Sequence, residues 1–282
     1  MKMKRMATGL ILGTLLIVLW GVQGIALRIA LTVLTCMSVW EMYNALSAKG
    51  MKPARWVGMA YALLAMPVYL AAGSVMLAPM TTIFCVLGLA AVLLRGEIDF
   101  EAGVATLFPI FYPGLMFSMI YPLQDLGNPF ISSLAIGLTF VVPAMADTAA
   151  YFVGCRWGKH KMAPKLSPKK TIEGGIAGLL GAVVSVLLLV GIYKLKGMWY
   201  PPFMQYADTL PAMWTFIPLG LISGAVCIMG DLSASMIKRY CGIKDFSTLL
   251  PGHGGIMDRM DSVLFNGVAV YSFFLLVLHI AA

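Results

Sequence analysis

Charge is what this 282-residue chain has least of: Asp, Glu, Lys and Arg together make up 11% of it, where an ordinary soluble domain carries about 25%. Acids are scarcer than bases, 12 Asp+Glu against 20 Lys+Arg, and there are only three His. The five Cys (Cys36, Cys85, Cys155, Cys227, Cys241) include no C-x-x-C pair, which argues against a disulfide framework or a zinc knuckle. They read as small buried hydrophobes. No internal repeat, low-complexity tract or soluble appendage is visible. What the chain does have is apolar surface, 60% of residues and a mean hydropathy of +0.89. One globular core of this length cannot hide so much, so the reading is an all-α polytopic integral membrane protein, 1–282 forming a single membrane domain.

A spanning helix needs about 20 apolar residues, because no water satisfies its backbone in the hydrocarbon core. Nine such runs are expected, near Thr8–Gly24, Ile29–Leu46, Trp56–Ala72, Val75–Leu94, Ala102–Tyr121, Ile131–Val153, Ile172–Tyr193, Met213–Leu232 and Ser262–Ala281. The first follows Lys2, Lys4 and Arg5 without a convincing small-x-small cleavage site, so it reads as an uncleaved helix. Only Gly73 and Ser74 punctuate the run from Trp56 to Leu94. As one straight helix that run would extend about 58 Å, almost double a ~30 Å hydrocarbon core, so two crossings fit better.

Charge placement tests the count. With nine crossings, 17 of the 20 Lys/Arg lie on the side of the N-terminus, and only Arg28, Lys194 and Lys196 lie opposite. Fusing the third and fourth runs would spoil that separation. Because short loops rich in Lys/Arg stay in the cytoplasm, the N-terminus is expected inside and the C-terminus outside.

Two cytoplasmic stretches then hold most of the polar chemistry: a loop around Gly154–Thr171 and one around Ser233–Asp261. Each has an acid at its threshold. Asp147 lies within Val141–Val153 and Asp231 closes Ile217–Met229. Such a carboxylate at membrane depth costs about 2.5–3.5 kcal/mol on insertion scales unless it is paired, solvated or bound to a cation. After Asp147 come Gly158-Lys159 and then Ser167-Pro168-Lys169-Lys170-Thr171-Ile172-Glu173-Gly174. Two ammonium groups and two hydroxyls at a helix start suit phosphate oxygens; the same Lys pair also reads as an inside-positive topological marker or an anionic-lipid contact.

The second stretch is denser. It runs Gly230-Asp231, Ser235-Met236-Ile237-Lys238-Arg239, Lys244-Asp245-Phe246-Ser247, then His253-Gly254-Gly255-Ile256-Met257-Asp258-Arg259-Met260-Asp261. Asp258 and Asp261 share a face if the ninth helix begins there. Hard carboxylates suit Mg²⁺, the bases neutralise phosphate, and the glycine turn lets backbone approach a phosphate closely. A solvated, salt-bridged loop with a tight re-entry turn is the plain alternative.

The stretch 235–261 resembles the signature of CDP-diacylglycerol synthases (phosphatidate cytidylyltransferases): Ser-x-apolar-Lys-Arg, four residues, Lys-Asp-x-small, then His-Gly-Gly-apolar-x-Asp-Arg-apolar-Asp. The segments around Asp147 and from Ser167 to Gly174 and the nine-helix layout resemble that family too. The resemblance implies transfer of a cytidylyl group from CTP to phosphatidic acid, giving CDP-diacylglycerol and pyrophosphate. It implies Asp231 and Asp258 as ligands of Mg²⁺, with Asp261 and Asp147 as supporting acids or holders of a second cation. It implies Lys169, Lys170, Lys238, Arg239, Lys244 and Arg259 on triphosphate or lipid phosphate. His253 would orient a phosphate, and Lys159, Ser167, Thr171, Glu173 and Ser235 join the substrate-binding set. The implied surroundings are the bilayer of the cell membrane, with the site on its cytoplasmic face, a homodimer as an admissible assembly and no nucleic-acid partner. His160 reads as a loop residue without a role, and Glu41, at the cytoplasmic end of the second crossing, as one half of an interfacial ion pair with Lys49 or Arg55, in preference to a place near the substrate cavity. The rival readings are a CTP-dependent lipid kinase, an ether-lipid cytidylyltransferase and, from another class, a transporter. A transporter would carry its charged site near the midplane and in paired halves.

Overall fold

The computed structural model describes residues 13–14, 16–96, 99–199, 204, 210–250, 252 and 254–281. Among them, eight helical stretches are long and apolar enough to cross a membrane: Gly24–Ala48, Arg55–Ala72, Ser74–Leu93, Phe100–Gln124, Pro129–Trp157, Ile172–Met198, Met213–Tyr240 and Met257–Val277. They correspond to the second through ninth expected crossings. Of the first, residues 13–14 and 16–22 are helical, Gln23 breaks the helix at φ +50 and Gly24 opens the next one, and 8–12 and 15 lie outside the described residues. Large side chains such as Leu70, Ile83, Val86 and Leu93 stand exposed on these helices, as lipid-facing surfaces require. The all-α polytopic membrane fold holds, with one small hairpin added.

Helix α1 is Gly24–Ala48, α2 is Arg55–Ala72 and α3 is Leu77–Leu93. The long apolar run is divided where its length demanded. α2 ends at Ala72, Gly73 turns the chain at φ +73 with its N–H on the Tyr69 carbonyl, and a short turn from Ser74 leads into α3. Helix α4, Phe100–Pro109, precedes α5, Pro129–Trp157; strands β1, Lys161–Ala163, and β2, Ser167–Thr171, lead into α6, Ile172–Trp199, followed by α7, Ile217–Tyr240, and α8, Met257–Ala281.

The chain divides into two compact units, Met1–Pro122 with Met236–Met260, and Leu123–Ser235 with Asp261–Ala282. The core of the first is built on tyrosines whose hydroxyls find partners. Tyr43 donates to the Thr106 carbonyl at 2.9 Å, Tyr61 meets Thr81 at 3.1 Å and Tyr121 meets Thr32 at 2.9 Å. A buried hydroxyl left alone would cost about 1–3 kcal/mol, a large part of what burying its ring gains.

In the second unit α5 and α6 pack along small residues. A Cβ on Gly174 would stand 2.9 Å from the Ala150 carbonyl oxygen, one on Gly178 3.2 Å from the Ala146 carbonyl oxygen, and one on Gly181 2.7 Å from the Ala149 methyl. α7 meets α6 in the same way, Gly220 against Val183 and Gly224 against Leu179. Membrane helices gain little from hydrophobicity against each other, so close backbone packing supplies the attraction. Asn266 on α8 adds hydrogen bonds to the carbonyls of Leu138 and Thr139.

Both expected loops are more ordered than anticipated. α5 runs through Gly154 to Trp157, and β1 pairs antiparallel with β2, Lys161 opposite Thr171 and Ala163 opposite Ser167. α7 continues to Tyr240 rather than ending near Leu232, so Ser235, Lys238 and Arg239 are helical, not loop residues. The reason is local: hydropathy fades after Leu232, but no Gly or Pro occurs until Gly242, which stops the helix at φ +70. Ala, Met, Lys and Arg are all good helix formers. α8 begins at Met257, which gives Asp258 and Asp261 the common face that their spacing implied.

Candidate active site

In the second unit, a cavity of about 360 Å³ is lined by Asp147, Ser167, Lys169, Lys170, Thr171 and the backbone of Gly174 and Gly175, among others. Three elements build it. α5 contributes Asp147, the hairpin contributes Ser167, Lys169 and Lys170, and the start of α6 contributes its first-turn glycines. Thr171 is buried and accepts the Gly174 N–H at 3.2 Å through its hydroxyl, capping α6. Gly174 must lack a side chain, because Ala150, Gly154 and the Thr171 hydroxyl crowd its Cα.

Asp231 belongs to the same unit. Its carboxylate pairs with the Lys170 ammonium and accepts the Ser262 hydroxyl at 3.0 Å. The contact with Ser262 is allowed by Gly230, where a Cβ would come 2.6 Å from the Asp261 carbonyl oxygen. Asp261 is buried, and its Oδ1 accepts the Ser262 N–H at 2.8 Å.

In the first unit, Asp258 is held by three donors. Its Oδ1 accepts the Lys238 ammonium at 2.6 Å, and its Oδ2 accepts the N–H of Phe246 at 2.8 Å and of Gly255 at 2.9 Å. A separate cavity of about 310 Å³ has Lys244, Ser247, Thr248 and Arg259 in its wall. Its wall also carries the exposed Asp245 carboxylate, so two exposed cations and two hydroxyls outweigh one acid as partners for anionic oxygens. Arg239 instead donates to the Ile243 carbonyl at 3.3 Å, at the end of α7.

The family model described as the cytidylyltransferase family matches residues 3–277. The chain belongs to that family. It is similar to a phosphatidate cytidylyltransferase of Staphylococcus saprophyticus, 33% identical over 174 residues, or 62% of this chain and 60% of the relative. It is also similar to phosphatidate cytidylyltransferases of Haemophilus influenzae, 37% identical over 155 residues (52% of this chain, 47% of the relative), and of Synechocystis sp., 41% identical over 143 residues (50% and 43%). The matches span between about two fifths and three fifths of these relatives' lengths.

Of the residues expected to act in this cytidylyltransferase-family chain, the cavity of the second unit gathers Asp147, Ser167, Lys169, Lys170 and Thr171, and that of the first gathers Lys244 and Arg259. Lys159 and Glu173 line neither. The Glu173 carboxylate accepts the backbone N–H groups of Lys159 and His160, and its Oε1 lies 2.6 Å from His160 Nδ1. Glu173 thereby ties the entry of the hairpin to α6, and His160, read as a bystander, is its partner. Ser235 is half-buried on α7, and His253 lies outside the described residues. Glu41 overturns its expected ion pair. Arg55 donates to the Asn44 side-chain oxygen and lies over the Trp40 ring, Lys49 lies over the Tyr240 ring, and the Glu41 carboxylate instead binds Ser247 and the start of α8. Its backbone partners carry no sequence mark.

Proposed function

We propose that the chain is a phosphatidate cytidylyltransferase, converting CTP and phosphatidic acid to CDP-diacylglycerol and pyrophosphate. The observation that carries the reading is the cavity at the start of α6, where Lys169, Lys170 and the Ser167 and Thr171 hydroxyls converge beside Asp147 and the glycine backbone of the first turn. Such a set suits phosphate oxygens. The curated relatives carry the same activity in their names.

In the reaction, a phosphate oxygen of the lipid attacks the α-phosphorus of CTP and pyrophosphate leaves, so one P–O bond forms as another breaks. No side-chain nucleophile is needed, because the lipid phosphate monoester is itself ionised. Transfers of this kind rest on positioning and charge neutralisation. Lys169 and Lys170, and Lys244 and Arg259 in their own unit, hold phosphate oxygens and take up charge that builds on the leaving pyrophosphate. Ser167, Thr171, Ser235, Lys238, Arg239 and His253 complete the substrate-binding set, with Asp147 and Asp261 as supporting acids.

Asp231 and Asp258, each in its own unit, are hard carboxylates and so suit Mg²⁺, the cation we assign to them; each is paired with an ammonium group, Lys170 and Lys238 respectively, whose place at the carboxylate the cation would take. Mg²⁺ needs only one or two protein carboxylates, because it keeps water and phosphate oxygens in its shell; among the described residues there is no group of three or more His, Cys, Asp or Glu that could hold a metal. When bound, Mg²⁺ would neutralise phosphate charge; a second cation would fall to Asp147 or Asp261. The excess of Lys/Arg on one side supports a site on the cytoplasmic face of the cell membrane, and a homodimer is the assembly we propose.

The deciding experiment incubates the full chain in vesicles with phosphatidic acid, Mg²⁺ and CTP labelled at the α-phosphate. Label in the lipid supports the reading; label recovered only as CDP replaces it with a CTP-dependent kinase. Chelation by EDTA is expected to abolish labelling and added Mg²⁺ to restore it.

A further inference from the structure

Glu41 sits on α1, and its side chain is 3% exposed. The carboxylate accepts three hydrogen bonds: the Ser247 hydroxyl at 2.6 Å and the Ile256 N–H at 3.0 Å on Oε1, and the Met257 N–H at 2.8 Å on Oε2. Met257 is the first residue of α8, so an acid more than 200 residues away in sequence caps that helix from outside, where free N–H groups and the helix dipole both favour negative charge. Asp258 does the complementary work from inside, holding Phe246 and Gly255. The two carboxylates therefore grip neighbouring residues at both ends of one segment: 246 and 255 on Asp258, 247 and 256–257 on Glu41.

Lys244 and Arg259 flank that segment on either side, and Ser247, Thr248 and Gly254 within it share the wall of the same cavity. Gly255 reports how tight the grip is. A Cβ added there would lie 2.5 Å from Glu41 Oε2 and 2.6 Å from Oε1, so the carboxylate rests directly on the glycine backbone.

We propose that Glu41 is a positioning residue: by clamping Ser247 to the first turn of α8, it fixes the spacing of Lys244 and Arg259 for the phosphate oxygens of a substrate that Glu41 itself does not touch. This rests on the cytidylyl-transfer reading. Glu41→Gln preserves the side chain's volume and replaces one acceptor by a donor turned towards donors.

The test compares the wild-type chain, Glu41→Gln, Glu41→Ala, Gly255→Ala and the double variant Glu41→Ala/Gly255→Ala, in vesicles, by labelling kinetics and by hydrogen exchange at Ile256 and Met257. For Glu41→Gln, kcat is expected to fall about 10²-fold, the scale of a displacement near 1 Å, with thermal unfolding close to wild type. Gly255→Ala is expected to fall likewise, and the double variant to be no slower than Glu41→Ala alone, because the methyl then has no carboxylate to displace. A folded Glu41→Gln with wild-type kcat and KM, or independent additive losses at the two positions, would overturn the proposal. Exchange at the two amides needs no substrate: faster exchange in Glu41→Gln supports the clamp and unchanged exchange overturns it. A wild-type chain that leaves phosphatidic acid unlabelled sinks the cytidylyl reading, and the exchange result still decides the clamp.

Discussion

The Lys170 ammonium is ion-paired with the Asp231 carboxylate, across 61 residues of sequence, and both lie partly open to solvent at 30% and 21% side-chain exposure. The pair joins the hairpin to α7 beside the cavity that holds Asp147. Open pairs of this kind contribute about 1 kcal/mol or less to stability, which leaves chemistry as the stronger reason for the arrangement. Lys170→Met is therefore expected to shift the thermal midpoint little while lowering α-phosphate labelling of phosphatidic acid about 10²-fold, the scale of one lost preorganised charge contact. Lys170→Arg is expected to recover only part, since a planar fork does not reproduce a compact ammonium. Wild-type turnover in Lys170→Met would remove it from the site.

Gly174→Ala would drive a methyl to 2.9 Å from the Ala150 carbonyl oxygen and 3.0 Å from the Thr171 hydroxyl. Overpacking of that sort costs about 1–3 kcal/mol, read as a lower unfolding midpoint in detergent. Gly191→Ala, whose added methyl would meet only the Met213 side chain at 3.7 Å, is the matched control on the same helix and is expected to be neutral or slightly stabilising. Equal effects at both positions would contradict the small-residue seam.

Glu173→Ala would release the backbone of Lys159 and His160 from α6. The expected outcome is faster tryptic cleavage at Lys161 and Lys165 with the helical circular dichroism unchanged. If cleavage is no faster, Glu173 does not anchor the hairpin, and its earlier assignment to substrate regains ground.

Orientation is open to direct chemistry. In a background with the five native cysteines replaced, Lys165→Cys is expected to react with an impermeant maleimide only from the cytoplasmic side and Lys196→Cys only from the opposite side. The reverse pattern would invert the topology drawn from the Lys/Arg excess.

How much of this was legible in the sequence depended on the range of the forces involved. The break at Gly73 was readable because one helix from Trp56 to Leu94 is too long for a bilayer. Ser167, Lys169, Lys170 and Thr171 were readable because four phosphate-seeking groups stand within five residues. The extension of α7 past Leu232 was not, because hydropathy marks where lipid ends while the helix continues until Gly242 breaks it. The hairpin was hidden in a run too polar for a strand pattern. Glu41 was misread for a different reason: an acid beside Lys49 and Arg55 suggests ion pairs, yet its partners are a serine and two backbone amides brought near only by the fold.

The crowding at Gly230 has an evolutionary consequence. Gly220, Gly224 and Gly230 are the points where neighbouring backbone presses on α7, so they lock its rotational phase within the second unit. One residue inserted between Gly224 and Gly230 would turn Gly230 and Asp231 by about 100°, replacing the glycine against the Asp261 carbonyl with a side chain and swinging the carboxylate away from Lys170 and Ser262. Substitutions can be absorbed singly along that stretch, but a change in its length cannot, and insertions or deletions in descendants of this chain are confined to places outside it.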